Sequence, residues 1–162
     1  MVIRILTTGG TFDKEYDELI EKLVFKDTHI SQMLKLARST LEINARTVMM
    51  VDSLQMTDSD REAILKQCQD SQEKQIVITH GTGTMEKTAS LLQGKIQDKT
   101  IVLTGAMVQF VLGNSDGLFN LGAALALVQT LPPGVYITMN GKIYPANNVT
   151  KNTRTGIFEE LK

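Results

Sequence analysis

Short apolar runs recur along the chain, and several end abruptly in glycine and threonine. Ile3-Arg4-Ile5-Leu6-Thr7 runs into Thr8-Gly9-Gly10-Thr11-Phe12-Asp13. Ile76-Val77-Ile78-Thr79 runs into His80-Gly81-Thr82-Gly83-Thr84, and Ile101-Val102-Leu103-Thr104 into Gly105-Ala106-Met107. Aliphatic, β-branched runs without polar alternation read as strands buried on both faces. Strands are therefore predicted over 2–7, 75–79, 100–104 and 135–139. Leu41, Ile43, Ala45 and Thr47 alternate into Val48-Met49-Met50-Val51, which predicts one more strand there.

Between these runs the period changes. Ile30, Met33, Leu34 and Ala37 have helical spacing and predict a helix over 30–38. Ser59-Asp60-Arg61-Glu62 has the form of a capping box and opens a helix that runs to Asp70. Met85–Gln93 is a predicted helix with Gly94 as its C-cap. Asp116–Gln129 is the most apolar helix, with Leu118, Leu121, Leu125 and Val128 on one side and Pro132-Pro133-Gly134 ending it. Residues 13–28 are mixed and polar and read as a mobile loop with a short turn or ribbon. Gly141 marks a turn into Lys142-Ile143-Tyr144, and the tail after Asn147 is polar apart from Ile157-Phe158.

Strands alternating with helices predict an α/β fold, a three-layer sandwich around a mostly parallel sheet of the flavodoxin or Rossmann kind. Residues 1–162 are expected to form a single domain. In open parallel sheets, ligands bind beyond the carboxyl ends of the strands. Three strand ends that discharge into Gly/Thr loops therefore predict one shared pocket.

Composition narrows the function. The apolar fraction of 42% supports a sizeable core. Lysine and arginine (17) nearly cancel aspartate and glutamate (18), so nothing in the charge favours nucleic acid or an anionic membrane as partner. Cys68 is the only cysteine, which excludes an intramolecular disulfide and reads as a small apolar filler. With only His29 and His80, a multi-histidine metal centre is poorly supported, and no metal or cofactor is expected. No run is long enough to span a bilayer, and Arg4 interrupts the first apolar stretch. The expected location is cytoplasmic.

The glycines do not form a nucleotide loop, since neither G-x-G-x-x-G nor G-x-x-x-x-G-K-[ST] is present at these turns. The more informative feature is the set of hydroxyls at Thr8, Thr11, Thr82 and Thr84. A hydroxyl becomes a useful nucleophile only when a base or hydrogen-bond network takes its proton. Backbone N–H groups at glycine turns and helix N-termini can hold an oxyanion. Any single threonine at such a turn reads best as a cap or backbone partner. Thr11 and Thr82 together, on two Gly-rich loops, favour chemistry.

Thr8-Gly9-Gly10-Thr11-Phe12, His80-Gly81-Thr82-Gly83-Thr84-Met85-Glu86 with Thr88-Ala89, Leu103-Thr104-Gly105-Ala106-Met107, and Asp116-Gly117 with Phe119-Asn120-Leu121 together resemble the L-asparaginase family of bacterial type. The resemblance runs from Ile3 to Phe158 and matches only the N-terminal domain of the two-domain enzymes. A short form lacking the C-terminal domain is expected. The resemblance implies an amidohydrolase that converts the side-chain amide of L-asparagine, or of glutamine, to acid and ammonia without a cofactor. It implies Thr11 as nucleophile, assisted by Tyr16 on the following loop. Thr82 would polarise and orient the reacting group, and Ser53 would hold the substrate's α-carboxylate. The backbone carbonyl of Ala106 would face the amide, and Gly10, Gly81 and Gly83 complete the expected binding set. A homo-oligomer is implied as well, because the family's sites form at subunit interfaces.

Four departures stand against that pattern. The family's aspartate for the α-amino group is Gly83 here, and its glutamine after the serine is Leu54. Its lysine, expected late in the helix after Asp116, is absent from Leu127-Val128-Gln129. Its C-terminal-domain glutamate is expected to have no counterpart, since the resemblance covers the N-terminal domain only. Asp13, Lys14, Glu15 and Asp116 are candidate sources of replacement charge. The departures leave three readings: an amidohydrolase of reduced rate, a non-catalytic module that holds a small carboxylate or a partner, and hydrolysis of an amide without an α-amino group.

Overall fold

The apolar runs are buried as expected of strands covered on both faces. Ile5, Leu6, Ile76, Val77, Ile78, Ile101, Val102 and Leu103 have no exposed surface. The computed structural model describes residues 1–161. Its first strand, β1 (Val2–Thr7), is followed by a 3-10 turn (Thr11–Asp13) and a hairpin of β2 (Lys14–Asp17) and β3 (Lys22–Phe25). Then come α1 (Ile30–Leu36), β4 (Glu42–Thr47), α2 (Asp58–Asp70), β5 (Gln75–Thr79), α3 (Met85–Lys95) and β6 (Thr100–Thr104). A second 3-10 turn (Phe110–Leu112) leads to α4 (Gly117–Leu127), β7 (Gly134–Met139) and β8 (Lys142–Pro145). A two-stranded ribbon of β9 (Thr150–Lys151) and β10 (Phe158–Glu159) ends the described chain.

The main sheet has six strands in the order β4-β1-β5-β6-β7-β8. Every pair is parallel except β7 with β8. Counted in chain order, the parallel strands read 2-1-3-4-5, the doubly wound order of flavodoxin-like sheets. Strand alternation sorts the core into two layers. Leu6, Ile76, Ile78, Ile101 and Leu103 face α2 and α3, where Ile64, Cys68, Ala89 and Leu92 meet them. Ile3, Ile5, Val77 and Val102 face α1 and α4, where Ile30, Met33, Leu121 and Ala124 meet them. Each such aliphatic side chain contributes about 1.5–3 kcal/mol of burial. Cys68 is part of this packing, and burial pushes its thiol pKa up to about 12, which keeps it protonated and inert.

Chain order and winding put a switch point between β1 and β5. The helix after β1 covers one face of the sheet, and the helix after β5 covers the other. Their loops diverge at the carboxyl edge and leave a crevice there.

Local details depart from the sequence reading in several places. The predicted strand through Val51 stops at Thr47. Beyond it, Val48 N–H donates to Thr7 O (2.9 Å) and Val51 N–H to Thr8 O (3.2 Å), so the segment wraps the end of β1 as a loop. The capping box of α2 uses Thr57 and Asp60 instead of Ser59 and Glu62. Thr57 Oγ1 accepts from Asp60 N–H at 3.2 Å, and Asp60 Oδ2 accepts from Thr57 N–H at 2.8 Å. Gly94 lies inside α3, which runs to Lys95 and caps at Ile96. Nothing within 4 Å would meet a Cβ at Gly94, so packing does not require glycine there. The second 3-10 turn and the β9-β10 ribbon have no counterpart in the sequence expectation. Among the described residues, no helix is long and apolar enough to cross a membrane.

Candidate active site

The crevice holds a cavity of about 230 Å³ lined by Gly10, Thr11, Lys14, Asp52, Ser53, Leu54, Thr82, Gly83 and Lys151. Three separate loops and the terminal ribbon therefore converge on it. Thr11 opens the 3-10 turn just past β1, and Gly10 lets it do so. Gly10 has φ +86°, and a Cβ there would lie 2.5 Å from the Cα and N of Gly81. The loops after β1 and β5 thus touch backbone to backbone, which brings Thr11 and Thr82 into one cavity.

The loop after β5 is held from below. Thr84 Oγ1 donates to Ser53 O at 2.7 Å and accepts from Arg61 Nη2 at 3.1 Å, while Arg61 Nη1 donates to Met56 O at 3.1 Å. Ser53 Oγ accepts from Gly83 N–H at 3.1 Å, so its own proton remains available to a ligand. His80 is buried beneath the loop. Its Nδ1–H donates to Gly81 O at 2.8 Å, because a carbonyl can only accept, and its Nε2 then accepts from Thr88 Oγ1 at 2.8 Å. Burial lowers the His80 pKa to about 4, against the favourable effect of the Gly81 carbonyl, and holds the ring neutral.

The second threonine has a lysine partner. Lys151 Nζ lies 2.8 Å from Thr82 Oγ1 and donates to it. Burial lowers the Lys151 pKa from its ordinary range, opposed by the charge of Glu86. The helix after Asp116 brings no lysine to Thr82; the lysine beside it comes from β9, after β7 and β8 in the chain. Lys14 also reaches the cavity, where its ammonium is paired with Asp52. That pairing leads the causes that hold the Asp52 carboxyl below its usual range.

The other predicted residues are placed as follows. Gly81 and Ala106 are buried beneath or beside the loops without lining the cavity. Tyr16 sits on the hairpin, 59% exposed, and does not line the cavity either. Thr8 Oγ1 is spent on Thr79 O at 2.9 Å. Of the four candidate replacement charges, only Lys14 lines the cavity. Asp13 is buried and accepts from His29 N–H at 2.7 Å and Thr28 Oγ1 at 3.1 Å, closing the N-terminus of α1. Glu15 faces His29 Nε2 at 3.1 Å. Asp116 accepts from Met107 N–H at 2.9 Å, Val108 N–H at 3.1 Å and Asn120 Nδ2 at 3.1 Å. It locks the loop after β6.

The family model described as "Asparaginase, N-terminal" matches residues 2–159. The chain belongs to the asparaginase N-terminal family. It is 31% identical to the L-asparaginase of Thermococcus kodakarensis over 162 residues, covering 97% of this chain and 49% of that protein. The solved structure of the thermostable L-asparaginase from the same organism matches with TM-score 0.86 at 28% identity, over 99% of this chain and 51% of that one. A probable cytoplasmic L-asparaginase from Campylobacter jejuni matches with TM-score 0.80 at 33% identity, over 98% of this chain and 52% of that one. The chain thus spans about half the length of these relatives. Within this asparaginase-type domain, Asp52 and Lys151 are the site residues that the sequence reading missed, whereas Lys14 was among its candidate replacement charges. For Lys151 the local signal is slight: a buried Val149 followed by Thr150-Lys151 in an otherwise polar tail.

Proposed function

We propose that this chain is an asparaginase-like amidohydrolase that releases ammonia from a small carboxylate-bearing amide. The observation that carries the reading is the cavity itself, which Thr11 shares with a second threonine already hydrogen-bonded to a lysine. The Thr11 hydroxyl attacks the amide carbon and forms an ester, and the amide nitrogen leaves as ammonia with the hydroxyl's proton. Water then attacks the ester, regenerates the hydroxyl and releases the acid. Lys151, with its proton affinity reduced by burial, shuttles protons through Thr82 between the bound amide and water. Ser53 donates to the substrate carboxylate. L-Asparagine is the amino-acid amide that the names of these relatives suggest.

Tyr16 has no step in this mechanism, because it lies outside the cavity. Self-association belongs to the same reading. Leu36, Leu112 and Phe119 each expose more than 60% of their surface and are the apolar side chains that contact with another copy would cover. Sedimentation velocity would show a dimer or larger assembly, and a monomer at micromolar concentration would contradict it. The activity test is ammonia release from a panel of small amides by the wild type and Thr11→Ala. The expected loss is about 10³-fold or more. Equal rates would remove Thr11 from the mechanism.

A further inference from the structure

The charges that line the cavity describe a ligand. Lys14 and Lys151 are cationic, and Asp52 is the carboxylate in the lining. Asp52 is already committed, with Oδ2 on Lys14 and Oδ1 accepting from Leu54 N–H at 2.9 Å. Glu86 sits behind Lys151, outside the lining. The remaining polar groups, Ser53 and the two threonines, are neutral. Gly83 adds no charge, and a side chain there would have to displace Leu54. A Cβ there would lie 2.7 Å from Leu54 Cδ2 and 3.1 Å from Ser53 Oγ.

From this inventory we infer that the substrate is the ω-monoamide of a dicarboxylic acid without a free α-ammonium group. This rests on the amidohydrolase reading and specifies its substrate class. A ligand carboxylate finds the Ser53 proton and net positive surroundings. A ligand ammonium meets two cations and must displace Lys14 to reach Asp52. Like charges at such spacing oppose binding, and a charged hydrogen bond that cannot be made is lost in full. Leu54 gives this part of the lining hydrocarbon and Gly83 gives it no side chain, which suits hydrogen or an uncharged group on the ligand's α-carbon.

The test compares succinamate with L-asparagine, which share carboxylate and amide and differ by the α-ammonium. The wild type is expected to show kcat/KM at least about tenfold higher for succinamate. Lys14→Met releases Asp52 and removes one cation, so the ratio should move towards L-asparagine by about tenfold. A wild type that prefers L-asparagine, or a ratio that Lys14→Met leaves unchanged, overturns the inference. If neither amide releases ammonia, the hydrolase reading fails separately, and binding to the wild type decides the charge preference. Calorimetric titration should then find succinate bound at least about tenfold more tightly than L-aspartate. Tighter or equal binding of L-aspartate, or no binding of either, overturns it.

Discussion

The loops after β5 and β6 look alike in sequence. Each follows a buried aliphatic run ending in threonine, and each continues through glycine. The structure spends them differently. Residues 80–84 place Thr82 in the cavity and hold the loop with His80 and Thr84, which stay out of the lining, and with the backbone carbonyl of Ser53. In residues 105–108 the N–H groups of Met107 and Val108 turn onto Asp116, while Asn120 Nδ2 donates to Gly105 O at 2.9 Å. A strand end followed by glycine therefore does not define a reacting group. What matters is whether the side chain's hydrogen bonds are already used by the scaffold.

The largest expected effect separates chemistry from scaffold within the first loop. Lys151→Ala and Thr82→Val should each reduce turnover about 10²–10⁴-fold. Their denaturation midpoints should stay close to wild type, because both side chains face a solvent-accessible cavity. A large loss of stability with turnover intact would reverse the assignment and make this loop resemble the one after β6.

Next in size is the pH dependence carried by His80. Its pKa is about 6.5 in the unfolded chain and about 4 when folded. Between these values the unfolded state binds more protons, so stability rises with pH. The contribution is complete above pH 6.5 and is lost as pH falls towards 4, by about 3 kcal/mol in all. Other groups also titrate in acid, so the difference between wild type and His80→Gln isolates it. Urea midpoints measured from pH 7 to 4 should fall more steeply for wild type than for the variant. Parallel curves would mean that the ring is not held neutral.

The smallest effect tests the second loop. Asp116→Ala removes the acceptor shared by Met107, Val108 and Asn120. It should cost about 1–3 kcal/mol, or a few degrees in melting temperature, with KM changed more than kcat. An unchanged melting temperature would show that the loop is held by packing alone, and the contrast between the two loops would weaken.

Much of this architecture could be read from residue patterns. Four of the five parallel strands lie on the aliphatic runs and β4 on the alternating stretch Leu41–Thr47, and the four main helices lie where the spacing changes. The pairing of Thr11 with Thr82 also follows from pattern, since both sit on glycine turns at strand ends. The errors are local and physical. The 48–51 stretch has strand-like residues but spends its N–H groups on the end of β1, so it cannot continue β4. Gly94 resembles a cap because glycine is common at helix ends, yet α3 has enough packing to carry it inside.

What the sequence alone determined is the sheet, the two helical layers and the threonine loops at the strand ends. These depend on burial periodicity and glycine turns, which act over a few residues. Only the tertiary structure decided the electrostatics of the cavity. Lys151 meets Thr82 across 69 positions, and Lys14 meets Asp52 across 38. Neither pair has a local pattern, because sheet order brings them together after the chain has wound through several layers. Glycine loops close to backbone contact then leave room in the crevice for the threonine hydroxyls and the lysines beside them.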